Sequence, residues 1–326
     1  MPWRSRRTPD QRAELMLGAL SVAVLVLIAL MTLTVFAKAW PSFSHNGFIS
    51  WFLPGGDVDQ QIKAIENGPK TAGHYVYHLR AWPLLWATML TTGLAVLFGL
   101  VLSILAAIFI VEFAPPPLRR VLDPVVRLLA GVPSVLYGLI GILVLAPWIN
   151  ANLISNGRKE SVENVVQLNG NGLGLATLIL MVMITPIMVS LIAGALGAVP
   201  KSWTEGSAAL GVNRWRTTWR VSLRTARPAI IAAAVLATGR ALGEAIMLAM
   251  VAGGRGFAPN LLDGFTVVFE PARPLAATII QNFEELGDPP LAQTLYAFAA
   301  VLLISTALLS LAGWAAKQPL KRYGIR

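Results

Sequence analysis

The sequence predicts an all-α, polytopic membrane protein with six transmembrane helices, and three observations carry that prediction. Hydrophobic residues make up 56% and charged residues 13% of the 326-residue chain, whose mean hydropathy is +0.65. That is more apolar than an ordinary soluble domain. The apolar residues gather into six runs, 15–37, 84–111, 128–149, 173–199, 228–252 and 291–316, each near or above the roughly 20 residues that cross a bilayer as a helix. The Lys and Arg between the runs alternate from rich to poor, the pattern of the positive-inside rule.

Arg4, Arg6, Arg7 and Arg12 precede the first run. Its 23 apolar residues exceed the core of a secretory signal and no small-residue cleavage site follows, so it reads as a retained membrane helix. Residues 38–83 form a turn-rich connection containing Pro41, Pro54, Gly55, Gly56, Gly68, Pro69 and Gly73, with Trp40, Trp51 and Trp82 near the membrane ends, as in an interfacial aromatic belt. His74 and His78 lie four apart. No third ligand is near and zinc needs three or four, which favours a solvated loop. With no cysteine in the chain, thiolate ligation, disulfides and thiol nucleophiles are excluded.

The second run, 84–111, carries no charge. Pro115, Pro116 and Pro117 then break the helix. Gly131 and Pro133 interrupt the third run beside Ser134 and Tyr137. A proline bend frees a carbonyl that a neighbour or water must satisfy, so this bend reads either as cavity lining or as a packing kink. In the polar stretch 150–172, Asn169-Gly-Asn-Gly172 has no preceding strand and no following Gly-Lys-Ser/Thr. It is a turn, not a phosphate loop. The fourth run holds Pro186 and ends at Pro200. Beyond it, Ser202 and Glu205 match a capping box and Gly211 stands where a helix ends, which predicts a short helix over 203–210. Arg214, Arg216, Arg220, Arg224 and Arg227 follow with Trp215 and Trp219, a composition suited to a helix on anionic headgroups.

The fifth run is the centre of the chain, because Arg240 and Glu244 are its only charges. Each ionisable group at mid-membrane depth costs roughly 2.5–3.5 kcal/mol, so both must face protein, water or each other. Four-residue spacing predicts one helical face for the two, as a substrate pathway or as a mutual salt bridge. On the adjacent face, Gly239 and Gly243 form a G-x-x-x-G pair, predicted to admit a neighbouring helix closely.

Six spans put both termini on one side. The N-terminus, the second-to-third and fourth-to-fifth connections and the tail, with Lys317, Lys321, Arg322 and Arg326, hold 17 Lys and Arg against five acids. The other three connections hold eight bases against ten acids, including Asp263, Glu270, Glu284, Glu285 and Asp288. The basic set is therefore assigned to the cytoplasm. This distribution explains the net charge of +10 by membrane orientation, without nucleic acid.

Glu205-Gly-Ser-Ala-Ala-Leu-Gly211 followed by Val221-Ser-Leu223 resembles the EAA loop of binding-protein-dependent ABC importer permeases. Gly206 and Ser207 stand at the family's two alanines, before Ala208, and Arg224 replaces the usual proline, with Pro228 available as a helix starter. Leu129-Ala-Gly-Val-Pro-Ser-Val-Leu-Tyr-Gly138, Gly239-Arg-Ala-Leu-Gly-Glu244 and Leu275-Ala-Ala-Thr-Ile279 are similar to the membrane subunits of the bacterial phosphate ABC importer, the PstC type more closely than the PstA type. Ala245 stands where that family commonly has threonine.

The resemblance implies an ABC type I importer permease architecture, with residues 1–83 as N-terminal segment, first helix and external loop. It further implies a transmembrane core over 84–316, a coupling loop over 200–227 and a cytoplasmic tail over 317–326. Implied partners are the lipid bilayer, a PstA-like second permease subunit, two PstB-like ATPase subunits and a soluble PstS-like phosphate-binding protein. The chain has no Walker A motif, so it needs no cofactor of its own, and ATP and magnesium belong to the ATPase subunits. Arg240, Glu244, Ser134 and Tyr137 are the candidate substrate pathway. Glu205, Gly206, Ser207, Ala208 and Gly211 are the candidate ATPase coupling residues. Rival readings are a permease for sulfate or molybdate, the other (PstA-type) phosphate permease subunit, a membrane-embedded enzyme using Glu244 as base and Arg240 as anion clamp, and a sensor or scaffold.

Overall fold

The computed structural model describes residues 9–71, 74–162 and 167–321. The charges at Arg4, Arg6, Arg7, Arg322 and Arg326, the turn residue Gly73, and the side chains of Arg12, Asp263 and Lys321 lie outside what it describes. Among the described residues, five helices are long and apolar enough to cross a membrane: within α1 (Pro9–Asn46) the stretch Ala13–Asn46, then α3 (Trp82–Phe113), α5 (Ser134–Asn152), α6 (Leu173–Gly197) and, within α12 (Pro289–Lys321), the stretch Pro289–Gln318. A sixth crossing is reached only by a bent pair, α8 (Arg214–Thr225) and α9 (Arg227–Leu242), which meet at 66°. Shorter helices include α2 (Val58–Glu66), α4 (Pro116–Ala130), α7 (Lys201–Ala209), α10 (Ile246–Val251) and α11 (Leu275–Gln281).

Helix α6 is the axis of the bundle. Of its most apolar stretch 61% is buried, against 33% for α3 and none for α1. It packs on α3, α4 and α9, and Leu180, Met183, Ile184, Met188 and Ile192 form the centre of the main core. Glycines set how closely its neighbours approach. A Cβ on Gly141 of α5 falls 2.3 Å from Ile179 Cδ1 and 2.6 Å from Val251 Cγ1, and one on Gly138 falls 2.7 Å from Met250 Sδ. These two glycines, three apart in an apolar run, seat α5 against α6 and α10. The expected G-x-x-x-G packing at Gly239 and Gly243 is not found. A Cβ at Gly239 meets only Thr306 Cγ2, at an ordinary 3.8 Å, and one at Gly243 meets only its own helix, because Gly243 already lies past the helix end.

Two connections are more ordered than their turn residues suggest. Helix α1 runs on through Pro41, α2 is capped by Asp57, whose Oδ1 accepts from Asp59 N at 2.9 Å, and Trp51, Ile62, Ile65 and Leu79 join Leu275, Leu291 and Phe298 in a second core. Asn46 bonds both the amide and the carbonyl of Leu79. Arg273 closes the unit, donating to Asp59 Oδ1 at 2.5 Å and to Gly254 O at 2.7 Å. In the connection after the fifth run, α11 lies against α3 and α12, and Leu275 N donates to Thr88 Oγ1 at 2.8 Å. The third span starts at Ser134, not at residue 128: residues 116–130 form the separate helix α4, alongside α6, and the chain breaks at Gly131–Pro133 because Pro133 cannot supply the amide that would continue it. His74 and His78 are exposed and lie outside any helix, so they share no helical face.

The turn predicted at Asn169–Gly172 is present, with Asn171 N donating to Asn169 Oδ1 at 3.1 Å. Gly170 there has φ +87°, and a Cβ on it falls 2.0 Å from the Ala146 carbonyl oxygen. Gly170→Ala therefore combines left-handed strain with a backbone clash and is expected to destabilise the protein by about 1–3 kcal/mol. Tryptophan-monitored thermal unfolding of the purified protein checks this against Gly157→Ala, where the added carbon meets nothing within 4 Å and no loss is expected.

Candidate translocation and coupling site

The apolar fifth run is two helices, not one. Helix α9 stops at Leu242, Gly243 caps it at φ −84°, ψ −3°, and α10 begins at Ile246. Glycines at 239 and 243 lower helix propensity on either side of Arg240, and the freed amides find a side-chain partner. Glu244 is buried at 9% exposure, and its Oε1 accepts from Met247 N at 3.2 Å. This closes the first turn of α10, where a negative charge also suits the helix dipole. The expectation of one shared helical face for Arg240 and Glu244 is thereby overturned, and no ion pair joins them among the described residues. The i,i+4 relation holds only along an unbroken helix.

Arg240 is exposed on this chain and lines a cleft of about 650 Å³ with Ile187, Leu236, Gly239, Thr306 and Ser310. The Tyr137 hydroxyl reaches back across the α4–α5 break to donate to Leu129 O at 3.2 Å. No hydrogen bond joins Tyr137 to Arg240 among the described residues, and Tyr137 does not line the cleft. Ser134 is half-buried in the first turn of α5 and bonds to neither charge. The second Glu244 oxygen makes no hydrogen bond among the described residues. The site is a guanidinium at an open cleft, with a buried carboxylate four residues further on, across the helix break.

The loop after α6 has one expected feature and lacks another. The Ser202/Glu205 capping box is absent. Pro200 occupies the N-cap with no side-chain bond, so α7 starts at Lys201 and Ser202 falls inside the first turn, where its hydroxyl cannot serve as the cap. The other end is a full Schellman motif: Gly211 has φ +75°, its amide donates to Ala208 O at 2.9 Å, and Val212 N donates to Ser207 O at 3.2 Å. Glu205, Gly206 and Ala208 are exposed, as are Trp203 and Leu210, the latter 84% accessible. Ser207 faces inward and bonds Thr217 of α8, Oγ to Oγ1 at 2.8 Å. Sequence reasoning missed Thr217, whose position in a basic stretch gave no sign of burial.

At the other end of the bundle the charges are shifted by their surroundings. Burial lowers the Arg273 pKa, opposed by Asp59 and Asp57. Burial, then Glu66, Asp288 and Glu284, raises that of Glu285, and burial raises that of Tyr77.

Residues 99–318, which contain both α7 and the α9–α10 break, match the family described as binding-protein-dependent transport system inner membrane component. The chain belongs to this family. Among relatives, this inner membrane component is 30% identical to the phosphate transport system permease protein PstC of Mesorhizobium japonicum, over 89% of this chain and 84% of the relative. It is 29% identical to the probable phosphate transport system permease protein PstC of Methanocaldococcus jannaschii, over 80% and 78%. Its fold is shared with a chain of the bacterial alginate ABC transporter solved with an alginate pentasaccharide-bound periplasmic protein, at a TM-score of 0.58 and 14% identity over 97% of this chain and 98% of that one.

The Glu244 cap is testable apart from transport. Glu244→Ala removes the acceptor for Met247 N and is expected to lower stability by about 1 kcal/mol or more. Glu244→Gln keeps an amide oxygen in place and is expected to lose less. Thermal unfolding of the two purified variants measures the difference.

Proposed function

We propose that this chain is a permease subunit of an ATP-driven importer that carries inorganic phosphate across the cytoplasmic membrane. In this reading a PstA-like subunit completes the pathway beside the Arg240 cleft, and a PstS-like protein delivers the anion to the side where Arg273 and Asp59 lie. Two PstB-like subunits bind ATP and magnesium and engage α7, with both termini cytoplasmic. The observation that carries the reading is the Arg240–Glu244 arrangement at a broken span, in a chain whose relatives over most of its length bear the name PstC.

Arg240 offers a planar fork of donors that matches a tetrahedral oxyanion. Near neutral pH phosphate still carries a proton and sulfate does not. The free oxygen of Glu244 accepts a hydrogen bond from the protonated anion and repels the fully ionised one, which a buried polar site turns into strong discrimination. On the cytoplasmic side, α7 presents Glu205, Gly206, Ala208 and Leu210 to the ATPase, and Gly211 sets the angle at which it does so. Closure of the ATPase then rocks α7 and the bent pair α8–α9 as connected bodies.

Labelled-phosphate uptake by the complex reconstituted with its partners, competed by sulfate or molybdate, tests the substrate. Arg240→Lys is expected to cut uptake by about tenfold or more, because an ammonium is a more hydrated point charge. Exchanging Arg240 and Glu244 is expected to abolish uptake, and Glu244→Gln to relax sulfate exclusion. Wild-type uptake in the exchange variant would sink the pathway role.

Gly211→Val is expected to leave assembly intact and reduce phosphate taken up per ATP by about tenfold, since a β-branched residue resists positive φ. Normal transport by an assembled Gly211→Val complex removes the coupling assignment.

A further inference from the structure

One carboxylate belongs to neither the pathway nor α7. Glu112 lies at the end of α3, inside a π-helical turn, Phe109–Phe113. Its side chain is only 18% exposed, and its partners are on α8, not on its own helix. Glu112 Oε1 accepts from Ser222 Oγ at 3.2 Å, and Oε2 lies 3.9 Å from Arg214 Nε. Ser222 sits in a second π-helical turn, Thr218–Ser222, and is 1% exposed. A π turn holds one residue more than an α turn and so rotates the remainder of its helix by about 100°. Two such turns, in helices distant in sequence, face each other across one hydrogen bond. The Arg214 guanidinium lies 5.3 Å from the Phe113 ring centroid, and Phe113 is 6.1 Å from Trp215.

These contacts differ in weight. Arg214 is 65% exposed, so its long ion pair is screened and contributes little. The Ser222 hydroxyl is buried and bonds a carboxylate, which makes it the stronger contact and the costlier one to lose. One turn earlier in α8, Thr217 is 7% exposed and bonds Ser207 of α7. Two side-chain bonds, connected through the backbone of α8, therefore link α7 to α3 alongside the covalent route into α9.

We infer that Glu112 is a positioning residue for energy coupling, holding α8 to the end of α3 so that movement of α7 reaches the α3–α6 core as well as α9. The inference rests on the proposal that α7 engages the ATPase. Cooperative displacement of two spans, not one, is what the joint supplies.

The test uses the complex reconstituted with its partner permease, ATPase and binding protein, and reads phosphate imported per ATP hydrolysed. Glu112→Ala, Ser222→Ala and the double variant are compared, with Gly211→Val as reference. Each single variant is expected to lower the ratio by about fivefold, within the range by which residues along a coupling route act. The double variant is expected to fall no lower than the worse single, because the two act through one bond. A wild-type ratio in either single variant, or losses that multiply in the double, overturns the inference. If Glu112→Ala fails to assemble, Ser222→Ala, which retains the carboxylate, decides alone by the same ratio. Gly211→Val separates the two levels: its normal transport removes the α7 reading itself, whereas its uncoupling beside a normal Ser222→Ala ratio removes only the joint.

Discussion

A backbone amide in hydrocarbon has no water to bond, so every place where a buried helix stops must be closed by the protein. At three such places in this chain a side chain does the closing. Glu244 takes the Met247 amide where the fifth run breaks, Thr88 takes the Leu275 amide where α11 begins, and the Tyr137 hydroxyl reaches the Leu129 carbonyl across the break before α5. Two of the three lie in or beside the candidate pathway. The break that leaves Arg240 at a cleft and the break that needs Glu244 as its cap are one event, so the charge pair is a consequence of interrupting a span.

Around these breaks the bundle has two kinds of rigidity. The main core is helix on helix, with α6 at its centre and α5 drawn in by Gly138 and Gly141. The second core is built from connections, with Trp51, Ile62 and Leu79 on Phe298 and the Arg273–Asp59 pair locking two distant loops. Helix α1, whose apolar stretch is entirely unburied in the single chain, belongs to the second unit through Ala39 and Phe43. Helix α7, by contrast, meets α8 through the Ser207–Thr217 bond, and α8 meets the end of α3 through Ser222–Glu112 and the Phe113–Trp215 ring contact, with Leu223 packed on the main core. A loop held by discrete bonds has alternative positions open to it in a way that a close-packed core does not.

Much of this was legible in the residues. Hydropathy alone marks the runs at 84–111, 173–199 and 291–316, because an uninterrupted apolar stretch in a membrane has few options but helix. Gly211 was legible as well, since a glycine one residue beyond a short helix supplies the left-handed turn that other residues resist. The capping box failed at the same helix because cap identity depends on where the preceding turn ends, and Pro200 moved the start to Lys201. The order of residues 38–83 was not legible, because Pro and Gly signal turns whether or not the residues between them later find a core.

The sequence by itself determined the class, the number of apolar runs, the asymmetry of charge and the residue types at the centre, since these follow from local composition and from the energetics of burying charge in lipid. Only the tertiary structure decided that Arg240 and Glu244 stand on opposite sides of a helix break, that Gly138 and Gly141 rather than Gly239 and Gly243 make the close approach, and that Glu112 meets Ser222. Each of these depends on which groups come to lie opposite one another in space. A spacing rule holds along a continuous helix and carries no information once the helix ends.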